Sequence, residues 1–175
     1  SGLLGQAVVR LLGDNARPWT RDDGDLTQVG VCERALRDAE IVIHCAARVS
    51  GIKEHNRDPA GHVTENLIIG ARLFEACAKA KPQPLLVFVS SSTVYPVLLG
   101  PGNDDYDFRA TESWPLSPHP IYQGVGGVKV YLESLLSFYE AKYGLRSCIV
   151  RPTAMYGPGD RSDHVIPDLI RRALG

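Results

Sequence analysis

The 175-residue sequence predicts an α/β fold built on a parallel sheet. Two observations carry that expectation. Helix-like and strand-like segments alternate along the chain. The strand-like ones are unbroken apolar runs, EIVIHC at 40–45 and PLLVFVSSS at 84–92, the pattern of strands buried between helices on both faces. A segment rich in Pro, Gly and Asp at 92–119 follows the second run and is longer than a connector needs to be.

The elements follow in order. LLGQAVVRLL, 3–12, has helical apolar spacing and ends at Gly13, a suitable C-cap. ARPWTR, 16–21, has the composition of a short strand, and 27–39 that of a modest helix. After the strand at 40–45 comes a long amphipathic helix over 60–81, then the strand at 84–92. A helix over 122–143 stops near Gly144, SCIVRP at 147–152 is a strand closed by proline, and 163–174 is a final helix.

Composition narrows the function. Hydrophobic residues make up 44% and charged residues 22%, with a formal net charge of -1. Neither nucleic acid nor an anionic membrane is the expected partner of such a surface. No apolar run reaches membrane-spanning length, and residues 1–13 lack the basic start of a signal peptide. Cys32, Cys45, Cys77 and Cys148 are widely spaced, and three lie in apolar runs. They read as reduced thiols of a cytoplasmic protein rather than a disulfide framework or a metal site. His55, His62 and His119 have no metal-ligand spacing, and His44 reads as a core histidine at a strand end.

The chain opens Ser1-Gly2-Leu3-Leu4-Gly5. Gly2 and Gly5 have the spacing of the last two glycines of a dinucleotide-binding loop, which lets backbone approach a pyrophosphate at a helix N-terminus. An ordinary helix start is the plain alternative. Asp25, about twenty residues on and past the candidate strand, sits where an acidic residue meets the adenosine. The expected fold is therefore a Rossmann-type, doubly wound sheet over residues 1–175. The first strand would lie upstream of Ser1 and a substrate domain would follow Gly175. The chain alone is then expected to be a poorly soluble, inactive fragment.

Five segments together resemble the extended short-chain dehydrogenase/reductase family, the NAD-dependent epimerase/dehydratases. They are IVIHCAA at 41–47, ENLIIGARLFEACAKA at 65–80, FVSSSTVYP at 88–96, the helix headed by Tyr122, and RPTAMYGPGD at 151–160. The resemblance implies an NAD- or NADP-dependent enzyme acting on a nucleotide-activated sugar. Ser91 matches the serine that hydrogen-bonds the substrate oxygen. Tyr122 matches the tyrosine that exchanges a proton with the sugar during hydride transfer and also borders the cofactor. Gly2, Leu4, Gly5, Ala46, Ala47 and Pro152 fall at cofactor-contacting positions, and Asp25 and Leu26 at adenine contacts. The segment 92–119 would be the active-site loop. The helices at 60–81 and 122–143 would pair two copies into a homodimer.

A narrower likeness, to an NADP-using branch of the family, covers TRDDGDL at 20–26, RVSGIKEHNRDPA at 48–60 and SDHVIPDLIRRA at 162–173. It implies that Arg21 faces the 2′-phosphate, which gives NADP a slight preference over NAD, since guanidinium is a fixed donor fork for phosphate. Arg21 also reads as a surface arginine neutralised by Asp22 and Asp23. His164 matches the branch's epimerisation acid and equally reads as a first-turn helix residue. Ser91 reads alternatively as a strand-end cap, and Tyr122 as a loop aromatic.

Three positions depart from the pattern. The family's lysine stands four residues after its tyrosine, on the same helix face, where it lowers the tyrosine pKa and holds ribose hydroxyls; here the position is Gly126. Lys129 lies seven residues on, which an α-helix places about 10 Å along its axis instead of about 6 Å. Thr93 stands where the branch has a cysteine, and Ala154 where it has an asparagine. A non-catalytic dinucleotide-binding module with a sensing or scaffolding role is therefore the rival expectation.

Overall fold

The computed structural model describes residues 2–48, 58–96, 111–160 and 165–174. Its core is a parallel sheet of β1 (Ile41–His44), β2 (Leu85–Val89) and β3 (Ser147–Val150), in the order β1-β2-β3. Ile43 pairs in register with Val87, and Val87 with Cys148. The helices are α1 (Leu3–Leu12), α2 (Val31–Ala35), α3 (Pro59–Lys79), α4 (Val128–Tyr143) and α5 (Val165–Leu174).

Local chemistry explains the boundaries. The Asp58 carboxylate accepts from the Gly61 amide at 3.0 Å and Pro59 occupies the first turn, so α3 begins there. α4 ends at Gly144, whose φ of 65° suits glycine and whose amide closes on the Glu140 carbonyl at 3.0 Å.

One face of the sheet carries the core. Leu86 and Phe88 of β2 are fully buried against Phe74 and Cys77 of α3 and Leu132 and Leu136 of α4, and α2 adds Cys32 and Leu36. The other face is more open than the expected two-sided cover. Among the described residues, Ile41, Ile43 and Val150 on that face are exposed, and Ile41 retains 56% of its surface. α1 buries none of its residues.

Residues 16–21 do not form the expected strand. The Asp23 carboxylate folds back onto the Thr20 amide and hydroxyl, each at 2.8 Å, and the Trp19 indole donates to the Gly24 carbonyl at 3.0 Å. These local bonds draw the backbone into a turn instead of a ladder. The expected helix at 27–39 contracts to five residues. Two expected thiols behave as core. Burial pushes Cys32 up to about 11 and Cys77 up to about 12, so neither is a thiolate at neutral pH. Cys148 is exposed. No described helix is long and apolar enough to cross a membrane.

Leu136 is fully buried where α4 meets the sheet. Leu136→Ala should lower stability by about 2–5 kcal/mol, read as a fall in urea midpoint at constant slope.

Candidate functional site

The parallel strands end together, and their carboxyl ends are where a ligand crevice forms in such sheets. β1 runs into Cys45, Ala46 and Ala47, with both alanines exposed. β2 runs into Ser90 and Ser91, and β3 into Arg151 and Pro152. Backbone bonds continue the β2–β3 pairing past the strands: the Ser90 amide donates to the Val150 carbonyl at 2.8 Å and the Ser92 amide to Pro152 at 2.9 Å. Ser91 sits between these two bonds.

α1 presents its N-terminus beside this edge. A Cβ added at Gly5 would lie 3.8 Å from the Cys45 Cβ, and one at Gly2 would meet nothing within 4 Å. The first turn has no side-chain cap and no acidic residue. Its amides and its positive dipole end therefore suit a pyrophosphate, and Leu4 lies within that turn. This donor set fits a dinucleotide.

Ser91 caps a short 3-10 turn, Ser92–Val94. Its Oγ accepts from the Thr93 amide at 3.2 Å and from the Thr93 hydroxyl at 2.9 Å, leaving its own proton to donate elsewhere. Tyr122 ends the 3-10 turn Pro120–Tyr122 and is 45% exposed, with the His119 ring 6.4 Å away.

Between Tyr122 and α4 the chain forms a π turn, Gln123–Gly127. Such turns occur frequently at functional sites. Gly126 is buried in it, and a Cβ there would lie 2.7 Å from both the Thr93 carbonyl oxygen and the Pro118 Cβ. The position has room for hydrogen only, so no lysine stands there. Lys129, in the first turn of α4, brings an ammonium to the end of β2. Its Nζ donates to the Val89 carbonyl at 2.7 Å and lies 4.8 Å from the Phe88 ring centre. Desolvation lowers its pKa from 10.5 to about 8, against the pull of the Glu133 carboxylate and the Cys45 thiol. A 3-10 turn and a π turn, rather than an α-helix, separate Tyr122 from Lys129.

His44 is buried beside this lysine, stacked 5.7 Å from Phe88 and edge-on to Phe74. Burial, reinforced by Lys129, takes its pKa down to about 3, so it stays neutral. It is a core histidine at a strand end, as its setting in the sequence implies.

The adenosine-side residues are less free than the sequence implies. Arg21 is ion-paired with Glu65 of α3, although its side chain stays 74% exposed. Arg48, just after β1, bonds Asp58 at 2.9 Å and approaches Glu65 at 3.7 Å. The Asp25 carboxylate accepts from the Thr27 amide at 2.9 Å and hydroxyl at 2.8 Å, which holds its pKa below the usual value. Leu26 packs against the core. His164 lies outside the described residues, as do 97–110 of the 92–119 segment.

Three groups escape the sequence reading. Asn66 of α3 brackets the backbone after β1: its Oδ1 accepts from the Arg48 amide at 2.8 Å and its Nδ2 donates to the Arg48 carbonyl at 3.1 Å. Buried Glu133 and partly buried Arg151 form an ion pair at 2.7 Å. For Asn66 and Glu133 the available signal is a polar residue bordering an apolar run, LIIG after Asn66 and VYL before Glu133.

Because Gly126 abuts backbone, Gly126→Ala should cost about 1–3 kcal/mol, and Gly126→Lys should not gain activity. Thermal denaturation of the alanine variant checks the first expectation.

The whole chain, residues 1–175, matches the NAD dependent epimerase/dehydratase family. A GDP-L-fucose synthase from Sinorhizobium fredii is 31% identical over 98% of the chain and 56% of its own length. The GDP-L-fucose synthase of Escherichia coli is 31% identical over 98% of the chain and 54% of its own length. The chain thus spans about half the length of these curated relatives. Among solved structures, a UDP-glucuronic acid 4-epimerase from Bacillus cereus in complex with NAD is 26% identical, with a TM-score of 0.70 over 97% of this chain and 49% of that one. A GDP-L-fucose synthetase from Naegleria fowleri bound to NADP shares the fold at a TM-score of 0.79 and 22% identity, over 99% of this chain and 58% of that one. The sheet is accordingly of Rossmann type, and the chain belongs to the NAD dependent epimerase/dehydratase family.

Proposed function

We propose that this chain is the nicotinamide-dinucleotide-binding part of an oxidoreductase or epimerase that acts on a nucleotide-activated sugar. The observation that carries the reading is the convergence of Ser91, Lys129 and the open N-terminus of α1 at the carboxyl ends of the strands. The relatives' names point to the same substrate class: GDP-L-fucose synthases and UDP-glucuronate 4-epimerase.

Each group then has a task. The amides around Gly2, Leu4 and Gly5 take the pyrophosphate, and Ala46, Ala47 and Pro152 let the dinucleotide pass close to the backbone. Asp25 and Leu26 border the adenosine. Lys129 supplies positive charge to the ribose hydroxyls, the role the family's lysine fills from the position of Gly126. The bound nicotinamide supplies hydride exchange. Ser91 donates to the sugar oxygen, and Tyr122 gives or takes the proton there. His164 is the candidate acid for inverting a carbon centre. Thr93 replaces the cysteine partner of that step, and its hydroxyl is spent on Ser91. Arg21 is the group that would favour NADP over NAD, in competition with Glu65.

Residues 1–175 form one domain in this reading, with 92–119 bordering the substrate, and the parent protein is cytoplasmic. It pairs as a homodimer through α3 and α4, which line a shared groove with Ile68, Arg72, Glu75, Tyr131, Leu135 and Tyr139. The rival, a dinucleotide-binding module without turnover, draws on the exposure of Tyr122 and the absence of any space for a lysine at Gly126.

The parent protein should quench or shift the fluorescence of NADPH or NADH on binding, and should convert a GDP-, UDP- or dTDP-linked sugar. Lys129→Met should cut that turnover by about a hundredfold or more. Failure to bind either dinucleotide refutes the proposal, and binding without conversion of any such sugar favours the module.

A further inference from the structure

The Glu133 carboxylate is 4% exposed, and every group bonded to it comes from a different part of the site's edge. The Ser90 hydroxyl donates to Oε1. Arg151 reaches the same carboxylate with Nε, at 3.2 and 3.3 Å to the two oxygens, and with Nη2 at 2.7 Å. The remaining arm of that guanidinium, Nη1, donates to the Tyr95 hydroxyl at 2.9 Å and to the Glu112 carbonyl at 3.2 Å. The guanidinium carbon also lies 5.2 Å from the Tyr95 ring centre.

The contacts come from segments that carry candidate site residues. Ser90 precedes Ser91, Arg151 precedes Pro152, and Glu133 is one helical turn beyond Lys129. Tyr95 directly follows the 3-10 turn that Ser91 caps, and Glu112 lies on the far side of the same segment. A buried ion pair contributes little net stability over apolar groups of the same shape, so fold stability alone gives no reason for one here. A planar guanidinium with three donor directions, by contrast, fixes the relative placement of whatever it binds.

We propose that Glu133 and Arg151 are the positioning residues of this site: the pair locks the ends of β2 and β3 to α4 and thereby sets Ser91 against Lys129. This rests on the site reading given under Proposed function. Neither residue touches substrate or cofactor in this account; both act through Ser91 and its turn.

The test uses the parent protein and two variants. Arg151→Lys keeps a positive charge beside Glu133 but cannot reach Tyr95 and Glu112 at the same time. The double variant Glu133→Gln with Arg151→Met removes both charges, so it leaves no unpaired buried ion that would unfold the protein. Amide hydrogen exchange is followed at Ser92, Val94 and Tyr95, with Leu86 and Phe88 as the core reference, alongside kcat, KM and the dissociation constant of NADPH. In both variants the three turn amides should exchange about tenfold faster while the two core amides do not change. The kcat should fall about tenfold or more, with KM and NADPH affinity within about twofold. Unchanged exchange at the turn, equal acceleration at Leu86 and Phe88, or an unchanged kcat overturns the proposal. A parent protein that binds no dinucleotide and converts no sugar refutes the functional reading instead, and the exchange measurement still decides whether the pair holds the Ser91 turn.

Discussion

The Lys129 ammonium donates to the Val89 carbonyl and lies over the Phe88 ring, at the point where β2 leaves the sheet. A cation in that setting loses most of its hydration, and burial without a partner is costly. What holds it is a carbonyl at the end of β2, the face of an aromatic ring, and the field of Glu133 one turn along the same helix. These contacts constrain the start of α4 tightly. The helix must enter against the carboxyl end of β2, and the chain just before it must pass the Ser92–Val94 turn. The π turn at Gln123–Gly127 packs against that turn, where Gly126 has no side chain to meet the Thr93 carbonyl.

The same constraint accounts for the split between what was legible in the sequence and what was not. The apolar runs around Ile41–His44, Leu85–Val89 and Ser147–Val150 announce strands because nothing local competes with them. The ends of those runs carry Ala46, Ala47, Ser91 and Pro152, which the family resemblance, laid on the strand pattern, picks out as candidate site residues. The glycines at 124, 126 and 127 look like a damaged helix start when judged by propensity. Their use emerges only from packing against Thr93 and Pro118, residues whose proximity no periodicity encodes.

Other misreadings have equally specific causes. The segment 16–21 has strand composition, yet the Asp23 carboxylate captures the Thr20 backbone and makes a turn. Arg21 looks ordinary beside Asp22 and Asp23, whereas its actual partner, Glu65, is 44 residues away. Asn66 and Glu133 each border an apolar run, a signal that is visible but does not say what the residue holds. Family membership rests on the whole chain, and the departure at Gly126 is local to one turn of it.

The role given to Lys129 depends on its being a desolvated ammonium at the strand ends. An NMR titration of the isotopically labelled lysine side chains, with the Lys129 resonance assigned through Lys129→Met, measures that directly. The account predicts an apparent pKa of about 8 for Lys129. A value at the ordinary 10.5 would place the ammonium in water and contradict it.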